Sequence, residues 1–166
     1  LSSSKITFHK GFENVLGFSD DEVTLETYLA QFHPEDEALV NRVGKYSILH
    51  SINNPEDSEN NVLHISFRIR KKNNDYIKIL SQSCIYEVTK DGVMISSMVK
   101  LRDISFLDTS NIVEWNFEAA NLDIELFKKE IYSDNNLLFT LREIEIIQAI
   151  AKNYSNSVIA EDLKIS

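Results

Sequence analysis

Four histidines, one cysteine and two short runs of acids are the residues in this 166-residue sequence whose chemistry goes beyond packing. His9, His33, His50 and His64 fall on a strand end, a helix start, a helix and a strand. No His-x-x-x-His pair and no carboxylate at ligand spacing accompanies them, so no metal centre is written in the sequence. Cys84 stands alone, which excludes an internal disulfide and a cysteine zinc site. Asp20-Asp21-Glu22 and Glu35-Asp36-Glu37 each sit in the first turn of a predicted helix, where the macrodipole favours anions, and read as helix-start charges rather than an acid/base pair. Only four glycines are present and none builds a phosphate-cradling loop. Neither an enzyme nor a bound cofactor is expected.

The elements that carry these residues follow from periodicity and punctuation. Residues 5–9 form a strand candidate with Ile6 and Phe8 on one face. Phe12, Val15 and Leu16 predict a short helix ended by Gly17. Ser19 and Glu22 then make a capping box flanked by the apolar pair Phe18 and Val23. Thr24 caps a turn carrying Leu25, Tyr28 and Leu29. After His33, Pro34 occupies a first helical position, and a long helix follows with Leu39, Val43, Tyr46 and Leu49 along one side. It dissolves in the polar run 53–61.

Beyond that run the period changes. Leu63, Ile65, Phe67 and Ile69 alternate with His64, Ser66, Arg68 and Arg70, the signature of a half-buried antiparallel strand. Residues 71–75 read as a turn, Tyr76–Val88 as a second strand, Lys90-Asp91-Gly92 as a hairpin turn and residues 93–104 as a third strand. Helices followed by a three-stranded meander give an α+β domain with its helices across one face of the sheet. Tyr46, Phe67, Ile69, Ile77 and Ile79, on facing apolar sides, are the expected lining of a pocket between the long helix and the sheet, with a small-molecule ligand of unknown identity as its occupant. Residues 106–138 hold no Pro or Gly and read as a structured connector: Val113, Trp115 and Phe117 alternate, and Leu126, Phe127 and Ile131 recur at helical spacing. Trp115 is expected to pack.

The last stretch, FTLREIEIIQAIAKNYSNSVIAEDLKIS over residues 139–166, predicts helix, turn, helix. Thr140 and Glu143 form a capping box with Phe139 and Ile144 as its staple. Ile146, Ile147, Ile150 and Ala151 make one apolar stripe, and Ser155 caps a second helix burying Val158, Ile159 and Leu163. With Arg142-Glu143, Ser155-Asn156, Ile159-Ala160 and Ile165-Ser166, this pattern resembles the helix-turn-helix of LuxR-type (GerE-like) bacterial transcription regulators. It departs from them at Leu141, Asn153 and Ser157-Val158, where the family usually has Pro, Gly and Lys-Glu. The resemblance implies that the recognition helix would start after Ser166. The part present is then backbone support, with Thr140, Arg142, Ser155, Asn156 and Ser157 as the residues near DNA phosphates.

Four fragments within residues 5–107 are similar to a PAS domain: LGFSDDE at 16–22, HPED at 33–36, the arginine-bearing strand leading to an aromatic at 67–76, and LRDIS at 101–105. The resemblance implies a sensory unit over residues 1–107 whose first strand is missing, joined by a connector over 108–138 to the partial helix-turn-helix over 139–166. Haem-binding PAS sensors use a helical histidine, for which His50 is more simply a surface residue. Cys84 lies on a strand, outside the Asn-Cys-Arg context of flavin photosensors. The implied function is a cytoplasmic sensory transcription regulator acting as a homodimer on DNA. The alternatives are a PAS module used only for protein association, or the sensor portion of a histidine kinase.

Composition is compatible with this reading. A content of 43% hydrophobic and 26% charged residues supports a real core. No apolar run approaches the roughly 20 residues of a membrane-spanning helix, and no secretory leader opens the sequence, so no membrane partner is expected. A formal charge of −9 opposes nucleic-acid binding by this stretch alone, because phosphate neutralisation supplies most non-specific affinity.

Overall fold

The computed structural model describes residues 5–89, 93–107 and 110–132. Residues 90–92, expected as a hairpin turn, the residues before Lys5, and residues 139–166, expected as a helix-turn-helix with Thr140, Arg142, Ser155, Asn156 and Ser157 near phosphates, lie outside the described residues. Helices α1 (Phe12–Leu16), α2 (Leu25–Leu29) and α3 (Pro34–Asn53) precede strands β1 (Val62–Arg70), β2 (Tyr76–Val88), β3 (Met94–Asp103) and β4 (Glu114–Glu118). Helix α4 (Ile124–Tyr132) follows. The four strands form one antiparallel sheet in the order β3-β2-β1-β4, so this part of the chain is α+β.

Local chemistry accounts for most element ends. Gly17 stops α1 in the left-handed region at φ 81°, with its N–H donating to the Glu13 carbonyl at 2.9 Å. Thr24 caps α2 by accepting from the Thr27 N–H at 3.0 Å. The tight β1–β2 turn is closed by Lys71 N–H donating to the Asp75 carbonyl at 2.8 Å, with Asn74 at φ 71°.

The Ser19–Glu22 box forms at the head of a 3-10 turn over Asp20–Glu22: Ser19 donates to the Glu22 carboxylate from its N–H at 2.9 Å and its hydroxyl at 2.6 Å. The same carboxylate takes the Lys72 ammonium at 2.6 and 2.7 Å, tying this turn to the β1–β2 hairpin. Lys72 first, and then the two Ser19 bonds, hold the Glu22 pKa down at about 2, against an ordinary 4.5. A carboxylate depressed in the folded state stabilises the fold fully above its unfolded value and loses that contribution as pH falls. The thermal midpoint is therefore expected to drop between pH 4.5 and about 2, and Glu22→Gln should flatten that part of the profile. Superimposable wild-type and variant profiles would remove Glu22 from the acid response.

The helix-facing side of the sheet is the core. Leu63, Ile65, Phe67 and Ile69 of β1 and Ile79 of β2 are at most 4% exposed, and they pack with Leu16, Phe32, Val40, Val43, Phe117, Phe127 and Ile131. Burying each large apolar side chain contributes about 1.5–3 kcal/mol. Phe117 and Phe127 stack at 5.3 Å, and Trp115 meets Phe127 edge-on at 5.6 Å. Arg42 of α3 donates to the Ile131 carbonyl in the last turn of α4 at 2.8 Å. β4 and α4 thus belong to the same packed body as the meander.

Two expectations differ from what is observed. Residues 5–9 are not a strand: no neighbour among the described residues offers them a ladder, and Phe8 is left 80% exposed. A single extended segment without a partner has no hydrogen bonds to fix it. The buried stripe of α3 runs through Asp36, Val40, Val43, Ser47 and Ser51, while Leu49 faces solvent. Small serines let the helix approach closely, and their hydroxyls are satisfied locally: Ser47 donates to the Gly44 carbonyl at 2.8 Å, and Ser51 accepts from Asn61 at 2.9 Å.

Candidate functional site: a polar cleft beside the start of helix α3

The five residues expected to line an inner pocket do come together. Phe67, Ile69 and Ile79 are 1, 0 and 0% exposed, and Tyr46 and Ile77 pack against them as core. Two depressions formed by the described residues lie elsewhere. One is an apolar crevice of about 190 Å³ against Phe12, Leu16, Phe18 and Tyr28, too narrow for a water molecule. The other is a cleft of about 630 Å³ lined by His33, Arg68, Tyr76, Ile77, Lys78, Ser105, Phe106, Leu107 and Asn111. Of the five expected residues, only Ile77 reaches it.

The chain passing from Gln31 to His33 forms one wall. It runs beside the end of β1, with His33 N–H donating to the Arg68 carbonyl at 3.1 Å and Arg70 N–H to the Gln31 carbonyl at 2.8 Å. His33 then becomes the cap of α3: its Nδ1 accepts from the Glu35 N–H at 3.3 Å, and its ring meets Tyr76 edge-on at 4.7 Å. Pro34 at the first helical position keeps φ suited to the turn and has no N–H to leave unsatisfied.

The floor consists of two cations, Arg68 of β1 and Lys78 of β2, placed directly opposite each other. Like charges in that relation repel, so each needs its own compensation. Arg68 has it in full. Asp36, only 2% exposed, accepts from the Arg68 N–H at 2.8 Å, Nε at 3.1 Å and Nη2 at 2.5 Å, while Glu35 takes Nη2 at 2.9 Å. The Asp36 bonds above all drive the guanidinium pKa further up.

Lys78 is compensated differently. Its side chain is buried under the segment that leaves β3 and crosses the sheet to β4, and its ammonium donates to the carbonyls of Ser110, at 3.1 Å, and Ile112. The start of that crossing strap is fixed by Ile104 N–H donating to the Lys78 carbonyl at 2.9 Å and by Lys78 N–H donating to Ser105 Oγ at 3.0 Å. No carboxylate among the described residues lies within ion-pair distance of Lys78. Desolvation by burial, the largest cause, holds its pKa below the usual lysine range. Phe106 and Leu107 form an exposed apolar lip at 80 and 48%.

Alternation along β1 puts Arg68 on the side away from the core, and no spacing in the sequence singles out Lys78 or Asn111. No local pattern marks a strand lysine that is buried by a segment more than 30 residues away. The other histidines do not converge on the cleft: His9 approaches Asp20 at 3.5 Å, His50 stacks edge-on with Phe117 at 5.6 Å, and His64 lies between Gln82 at 3.2 Å and Glu118 at 3.4 Å. Among the described residues no group of three or more His, Cys, Asp or Glu is placed to hold a metal ion, and no helix is long and apolar enough to cross a membrane. The arrangement is suited to binding through one cation, two polar groups and an aromatic wall. No family model matches the chain, and no curated protein matches it.

Proposed function

We propose that the chain is the sensory part of a transcription regulator, a PAS-like unit joined to a LuxR-type helix-turn-helix over residues 139–166. The observation that carries this reading is the continuity of the path from the sheet to residue 132. The strap held by Lys78 leads into β4, β4 pairs along β1, and α4 is packed into the core by Phe127 and Ile131. A change at the cleft therefore bears mechanically on the element that precedes the DNA-binding-like stretch. A second reading, an association module that pairs two copies, is favoured by β3. Among the described residues no strand pairs with its outer edge, and Ile95, Met98 and Val99 are 62, 55 and 48% exposed.

The polypeptide of residues 1–166 is expected to show no DNA sequence preference, because the second helix of the motif reads the bases and, on the LuxR-type resemblance, that helix would start after Ser166. Residues 139–166 also lack a basic patch, carrying Arg142, Lys152 and Lys164 against Glu143, Glu145, Glu161 and Asp162. The natural full-length protein containing this sequence should select a discrete site from a randomised duplex pool. Selective binding by residues 1–166 would mean that the reading helix is misplaced. A full-length protein that selects nothing yet runs as a dimer by light scattering would leave the association module.

A further inference from the structure

We infer that the cleft between His33, Tyr76, Lys78 and Phe106 is a binding site for a small monocarboxylate with an apolar or aromatic body. Lys78 is 7% exposed, yet it lines a cleft open to solvent, and among the described residues its ammonium is hydrogen-bonded only by neutral main-chain carbonyls. A buried cation facing another cation is stabilised strongly by an anion at that point, since the low local dielectric magnifies a charge-assisted hydrogen bond. The cleft, at about 630 Å³, falls within the range of small-molecule sites.

Its surroundings restrict the class further. Arg68 is bonded by Asp36 and Glu35, whereas Asp36 and Glu114 act on Lys78 only through space, so among the described residues Lys78 is the cleft cation with no anion bonded to it. A phosphate or a polyanion would be repelled by Asp36, Glu35 and Glu114, whereas a single carboxylate brings the least negative charge to that one ammonium. Tyr76, Ile77, Phe106 and Leu107 supply an apolar wall, and Phe106 is 80% exposed. A planar body inserted there would cover that surface while its carboxylate reached Lys78, with Asn111 and Ser105 as polar neighbours. The carboxylate would compete with the Ser110 and Ile112 carbonyls for the ammonium and so loosen the strap. As the input of the proposed sensor the site rests on that reading; the binding itself does not.

Benzoate and its neutral counterpart benzyl alcohol serve as probes, titrated calorimetrically into residues 1–166 and located by amide chemical-shift changes. Benzoate is expected to bind about tenfold or more tightly than the alcohol, as a charge-assisted bond implies, with shifts centred on Tyr76, Lys78 and Phe106. Lys78→Met should abolish the preference, while Lys100→Met, on an exposed part of β3, should retain it. Phe106→Ala changes an exposed side chain and leaves the fold intact, so it tests the wall even if Lys78→Met fails to fold; it should weaken both probes. Equal binding of the two probes, no binding, or a preference that survives Lys78→Met would overturn the site. Benzoate binding that leaves the DNA affinity of the full-length protein unchanged would confirm the site and refute its sensory role. Specific DNA binding by that protein without any benzoate binding would refute the site and retain the regulator.

Discussion

Replacing Asp36 by Ala is expected to destabilise the folded unit by about 3–5 kcal/mol, the range for breaking a buried ion pair by removing one partner. Asp36 is 2% exposed and takes three hydrogen bonds from Arg68, one from the main chain and two from the guanidinium. Its loss leaves a β1 amide without its acceptor and a guanidinium with only the exposed Glu35, directly opposite Lys78. Two cations then face each other, and only the exposed Glu35 remains bonded to one of them. Urea denaturation of wild type and variant measures the change. The double variant Asp36→Ala, Arg68→Met should recover much of the loss, because the stranded charge is removed with its partner. A single variant within about 1 kcal/mol of wild type, the scale of an exposed ion pair, would show that Arg68 reaches water instead and that the pair does not fix the start of α3.

That pair also marks the limit of what the sequence discloses. Alternation in residues 63–69 was enough to place β1 and its buried face, because period-2 patterning is imposed by the pleat itself. Ser19 with Glu22, Thr24 and His33-Pro34 were legible as helix starts because a cap acts over three residues. The turn at 71–75 was legible from its Asn and Asp residues. Most of what the sequence does not disclose is long-range. The Asp36–Arg68 contact spans 32 residues, and the acid run 35–37 reads as ordinary first-turn charge although one of its members, Asp36, is buried against Arg68. The expected face of α3 is right at Val43, Leu39 and Tyr46 and wrong at Leu49, because Ser47 and Ser51 carry no hydrophobic signal, yet their small size is what seats the helix. The expected inner pocket is filled because Leu16, Phe32 and the α4 residues Phe127 and Ile131 add volume that a two-element picture of helix and sheet leaves out. The sheet order places β4 beside β1 rather than β3, and this requires the strap across the sheet that buries Lys78. No local spacing announces that crossing.

The same packing yields the second large effect, at Ile131. Its side chain is fully buried at 0% exposure, in a helix reached only after the strap and β4. Ile131→Ala removes three methyl or methylene carbons from a site with no solvent to fill the void, and the expected loss is about 2–5 kcal/mol. How the loss is distributed discriminates between two architectures. If α4 were an appendage docked on a self-sufficient domain, the variant would release α4 and leave the sheet at its former stability. If α4 completes the core, the whole unit unfolds earlier in a single step. Trp115 is the sole tryptophan, and it lies on β4 against Phe127 at 5.6 Å with its Nε1 donating to the Tyr132 hydroxyl at 3.0 Å. Its fluorescence therefore reports the docking of α4, whereas far-ultraviolet circular dichroism reports the sheet and α3. Both transitions are expected to move together to lower urea, since Phe117, Phe127 and Ile131 share one cluster with Phe67 and Val43. A fluorescence transition that moves alone would show that α4 is a separable arm, and the path proposed from the cleft to residue 132 would lose its physical basis.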